Sequence, residues 1–90
     1  MIFVTCKIQD GEHEYFEYSW FSKLGTKSDY DTGAIKDKVL IEEVYGEAEQ
    51  FADNDYFVRD WDTYIQVYSV KDITPKELNI LDKFGVVSKG

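Results

Sequence analysis

The chain has 90 residues, a formal net charge of −8, 43% hydrophobic and 31% charged residues, and one cysteine. That length makes a single domain, residues 1–90, with one modest core, and the hydrophobic share separates it from disordered chains. The acid surplus argues against nucleic acid or an anionic membrane as a direct ligand, since both call for clustered Lys and Arg; no run approaches the roughly 18–20 apolar residues of a membrane span, and a lone cysteine leaves no internal disulfide.

The first 21 residues read as a β-hairpin. Ile2, Val4, Cys6 and Ile8 alternate with Phe3, Thr5 and Lys7, and Phe16, Tyr18 and Trp20 alternate with Glu17 and Ser19, which is the period of a strand. Gln9-Asp10-Gly11 is the expected turn. A two-residue Asp-Gly loop would set Val4 opposite Glu17. A three-residue loop, with Gly11 in the left-handed conformation, sets Val4 opposite Phe16 and Ile2 opposite Tyr18. One slip moves every side chain to the other face, so the second register, which keeps both apolar sets together, is the expected one.

Residues 22–33 are polar and contain two glycines, and they read as a long loop. A helix is expected from about Ala34, capped by Thr32 or Asp31, with Ile35, Val39 and Val44 or Tyr45 on its apolar stripe and Gly46 as its stop. Glu47 to Ala52 would prolong it or start a further turn. Tyr56 to Val58 is a short strand, and Thr63 to Val70 a longer one, β-branched and aromatic. Thr74-Pro75-Lys76-Glu77 is a capping box with proline at the first helical position. Leu78, Leu81 and Phe84 follow as a buried stripe, with Gly85 as the stop. The order β-β-α-(β)-β-α puts the fold in the α+β class. The expected architecture is a small antiparallel sheet of three or four strands, from the N-terminal hairpin and the C-terminal strand, with two helices on one face.

Little in the chain suits catalysis. Cys6 and His13 are its one thiol and one imidazole. The expected hairpin points them to opposite faces, so Cys6 reads as a small core residue without a base. Asp29-x-Asp31-x-Gly33 begins like a calcium loop, but Ala34 and Leu40 stand where that loop needs Gly and Glu. Asp53-x-Asp55 fails in the same way at Val58 and Tyr64. The glycines form no phosphate-binding pattern. Asp53/Asp55 and Asp60/Asp62 are paired carboxylates, but a domain this small seldom encloses a pocket that desolvates one of a pair. No catalytic residue, metal or cofactor is expected.

The distribution of charge is more informative. From Glu42 to Asp62 the chain carries eight acids and one base, Arg59, so this window holds −7 of the total. The other 69 residues, with ten acids and nine bases, are almost neutral. Acids two apart on a strand lie roughly 6.6–6.8 Å apart on one face, and acids four or five apart on a helix roughly 6–7.5 Å along the axis. Rows of that kind match the Lys and Arg that hold a nucleic-acid backbone. Tyr45, Phe51, Tyr56, Phe57 and Trp61 lie in the same window, and aromatics beside charges are typical interface anchors.

Length, acidity and the lack of a catalytic set make the chain similar in type to phage-encoded anti-defence inhibitors, a class that includes anti-CRISPR proteins and anti-restriction DNA mimics, and to nuclease immunity proteins. No motif points to a particular family or target. The resemblance implies an inhibitor in the host cytoplasm that occupies the nucleic-acid groove of a basic enzyme or ribonucleoprotein. The expected contact residues are Glu42, Glu43, Glu47, Glu49, Asp53, Asp55, Tyr56, Asp60, Trp61 and Asp62. The alternative is a small structural or regulatory subunit that docks, or forms a homodimer, through an aromatic surface near Trp61 or an exposed sheet edge.

Overall fold

The computed structural model describes residues 1–82 and 87–89, with side chains for 1–80. Its elements are β1 (Ile2–Asp10), β2 (His13–Phe21), α1 (Lys27–Asp31), α2 (Asp37–Tyr45), β3 (Ala48–Gln50), β4 (Asp55–Val58), β5 (Thr63–Asp72), α3 (Pro75–Asp82) and β6 (Val87–Lys89). The α+β class is as expected, with more elements than the sequence suggested. The strands form one sheet in the order β3-β4-β5-β1-β2-β6. Neighbours are antiparallel except β2 and β6, which run parallel.

The hairpin register corrects the expected one. Asp10 pairs with His13, Val4 with Ser19 and Ile2 with Phe21, so the loop is Gly11-Glu12. Gly11 has φ 63 and Glu12 does not share the positive sign, the φ pattern of a type II′ turn, whose twist matches that of the strands it joins. The local turn thus outweighs apolar pairing. As a consequence Cys6 and His13 share one side of the ribbon, not opposite sides. They remain four residue pairs apart, on the order of 13 Å along the strands, and form no couple.

The 22–33 segment is not a plain loop. Thr26 Oγ1 accepts from the Asp29 N–H at 3.2 Å, and Asp29 Oδ2 accepts from the Thr26 N–H at 2.9 Å. This reciprocal cap supports the single turn of α1. The following helix starts at Asp37, later than expected, behind Lys36, which makes no side-chain cap. Glu47 to Ala52 does not prolong it, because Ala48–Gln50 pairs with β4. At α3 the expected box is present: Thr74 Oγ1 accepts from the Glu77 N–H and Glu77 Oε1 from the Thr74 N–H. The stop at Gly85 and the stripe positions Leu81 and Phe84 lie outside the described side chains.

The core lies between one sheet face and the α1–α2 layer. Ile2, Val4, Cys6 and Ile8 meet Ile65, Val70, Val58 and Tyr56 there, and Ile35, Leu40, Ile41 and Tyr45 cover them. Ile2, Leu40, Ile41 and Ile65 are almost fully enclosed, each worth roughly 1.5–3 kcal/mol of burial. A bulge in β5 keeps the pattern in phase. Cys6 pairs with Val67 and Thr5 with Ser69, so Tyr68 is an extra residue. Ile65 and Val67 before it, and Val70 after it, therefore all face inward.

Candidate functional site

Register and bulge together decide what faces outward on the other side of the sheet. Phe16, Tyr18 and Trp20 of β2 pair with Lys7, Thr5 and Phe3 of β1. All six therefore point away from the buried set of β1. Tyr68, the bulge residue, meets Phe16 edge-on at 5.1 Å, and Phe3 stacks on Tyr18 at 5.7 Å. Farther along, Tyr64 meets both Phe51 and Phe57 at 5.1 Å. Among the described residues, eight aromatic rings thus lie on one face. Phe51 is 69% exposed and Tyr68 65%; Phe16, Tyr18 and Tyr64 are exposed as well, while Phe3, Trp20 and Phe57 are half-buried.

Geometry accounts for this exposure. Six strands at about 4.8 Å make a sheet on the order of 24 Å wide or more. The described helices have five, nine and eight residues, the longest of them about 13 Å. Helices of that size cover one face of such a sheet and leave much of the other to water. Of these aromatics, the sequence by itself marks only Phe51 and Phe57 as surface anchors. The missed signal was Gly11-Glu12, a two-residue loop with glycine first, which reverses the facing of Phe16, Tyr18 and Trp20 relative to the expected register.

The expected acidic residues do not form one row. Glu42 is half-buried and its Oε2 accepts from the Ala48 N–H at 3.0 Å, tying α2 to β3. Glu43 and Glu47 are exposed at and just after the end of α2. Glu49 stands opposite Phe57 on the outer face and meets Arg59 at 3.4 Å. Asp53 is exposed in the β3–β4 turn. Asp55 is half-buried on β4, opposite Gln66. Asp60 and Asp62 are exposed in the β4–β5 turn, at the other end of β4. Tyr56 is corrected from surface to core, because it alternates with Asp55 and Phe57 and turns inward. Trp61 is exposed as expected, its ring edge-on to Tyr45 at 5.9 Å.

Two acidic groups result. Asp60 Oδ2 lies 3.4 Å from where a Cβ on Gly46 would stand, so it joins Glu43 and Glu47 near the C-terminus of α2. That helix end is itself negative and has no basic residue in its last turn. Asp53 and Asp55 form the second group, on the order of 10–13 Å away along β4, and Phe57 and Tyr64 lie in the sheet rows between the two. No group of three or more His, Cys, Asp or Glu suited to a metal ion occurs among the described residues, and no helix there is long and apolar enough to cross a membrane. Burial, with Glu17 and Asp37 adding to it, pushes the Cys6 thiol up to about 12, which is the opposite of nucleophile activation.

No family model, curated protein or solved structure matches this chain. Its functional reading therefore rests on the surface itself: an aromatic sheet face with a carboxylate group at either end of β4.

Proposed function

We propose that the chain is a non-catalytic protein-binding module that docks, through its open sheet face, on a basic surface of a nucleic-acid-handling protein and blocks that surface. The observation that carries this reading is the set of water-exposed rings Phe16, Phe51, Tyr64 and Tyr68 on one face. A sheet face this rich in exposed aromatic rings is unusual on a small monomer and typical of an interface. The flanking carboxylates give the partner its sign. They favour encounter with Lys- and Arg-rich surfaces and repel phosphate.

Exposed rings also stack on bases in single-strand binders, but those pair the rings with a positive groove, and the carboxylate groups at either end of β4 together with a net charge of −8 disfavour a phosphate backbone here. The same charge disfavours a homodimer through this face, since two acidic copies would repel. A reducing cytoplasm suits the single buried thiol.

Immobilised protein is expected to retain basic proteins from a cell lysate, and added DNA or RNA to displace them. The triple variant Phe16→Ser, Phe51→Ser, Tyr68→Ser should lose at least about tenfold in affinity, about 1.4 kcal/mol. Reversal of Glu43, Glu47 and Asp53 to Lys should mainly slow association. Undiminished retention by the folded aromatic variant would sink the reading.

A further inference from the structure

A polar recess of about 210 Å³ opens in the middle of the aromatic face, lined by Lys7, Gln9, Asp55, Tyr64 and Gln66. Its floor is built from adjacent strands: Asp55 of β4 pairs with Gln66 of β5, which pairs with Lys7 of β1, and Tyr64 pairs with Gln9 in the next row. One flank carries the contacts among Phe51, Phe57 and Tyr64, the other the Phe16–Tyr68 pair.

Resting on the docking reading above, we propose that this recess receives one arginine side chain of the partner protein. The size fits. At about 30 Å³ per water the recess holds on the order of seven waters, room for one long side chain and less than the roughly 300 Å³ at which small-molecule sites begin. The sign fits too. Among the described residues the cation of the recess is Lys7, met by Glu14 at 3.4 Å, whereas the half-buried Asp55 carboxylate has no ion pair or side-chain hydrogen bond there.

The donor count favours guanidinium over ammonium. A carboxylate accepts the planar fork of arginine in two parallel bonds, Tyr64 in the lining is a residue on whose ring a guanidinium can stack, and the side-chain oxygens of Gln9 and Gln66 can accept the remaining N–H groups. The surrounding rings would shed water from around the pair once docked, which is how a central polar contact gains weight in an interface.

The test needs no partner. N-acetyl-arginine amide titrated into isotope-labelled protein should shift the side-chain amide signals of Gln9 and Gln66 and the ring signals of Tyr64, saturating in the millimolar range. N-acetyl-citrulline amide, its neutral isostere, and N-acetyl-lysine amide should bind several-fold more weakly. Asp55→Asn should abolish the shifts, and Lys7→Met, which removes the competing cation, should tighten binding several-fold. An equal response to citrulline or lysine, shifts unaffected by Asp55→Asn, or weaker binding in Lys7→Met would each overturn the assignment. If the recess fails these tests while the aromatic triple variant still loses its lysate partners, the docking reading stands without it.

Discussion

Cys6 illustrates how much a single residue's chemistry depends on what is folded over it. It sits on the inward side of the central strand, 3% exposed, with its pKa pushed up from 9.0 to about 12 by burial first, then by Glu17 and Asp37. Tyr45, above it on α2, is raised from 10.0, mainly by burial. Both groups are neutral when protonated, and both hold their proton more tightly folded than unfolded. Below pH 9.0 neither state ionises the thiol and its contribution to stability is complete. Above it the unfolded chain releases the proton first, so stability falls until the folded group titrates near 12. Denaturation midpoints measured upward from pH 8 should therefore decline from about pH 9, and Cys6→Val should flatten the first part of that decline; a variant that follows the same curve would show that the thiol is not the group responsible.

At the level of elements, the capping boxes and the hairpin behaved differently. Thr74 to Glu77 was legible because every group involved lies within one turn of chain. Thr26 to Asp29 has the same logic with a shorter acid, and a polar, glycine-containing setting hid it. Its energetic role is measurable: Thr26→Ala should cost about 1 kcal/mol of stability. Most of that cost should persist when Asp29 is already Ala, since Thr26 Oγ1 accepts from the backbone N–H of residue 29, which that substitution keeps, and only the part carried by the side-chain contact at 3.1 Å should be lost. No loss from Thr26→Ala in either background, by chemical denaturation, would mean that the cap is formed but carries no stability. The hairpin register departs from the expected one for a different reason. Both registers satisfy alternation, and the choice between them rests on the turn's backbone twist at Gly11, which outweighs the pairing of apolar side chains.

The molecule as a whole is a slab of about 35 × 30 × 17 Å, the thickness of one sheet and one helix layer. Net charge makes two properties respond to salt in opposite directions. Self-repulsion at −8 destabilises the compact state and is screened over about 8 Å at physiological ionic strength. Raising salt from a low value should therefore raise the melting temperature by a few degrees, on the order of 4–8 °C per kcal/mol for a domain of this size. The same change should weaken retention of basic partners. If stability and binding moved together, the carboxylates would not be the source of both effects.

Alternation, the Thr74 box and the acid surplus from Glu42 to Asp62 are local properties, so the α+β class, the short central strand candidates and the final helix start were all readable from the residues in order. Which side of the sheet received Phe16, Tyr18, Trp20 and Tyr68, and how the acids divided between the two ends of β4, were decided only by pairing between distant segments. A strand has two equivalent faces until a helix layer covers one of them, and α1 and α2 here can cover only one.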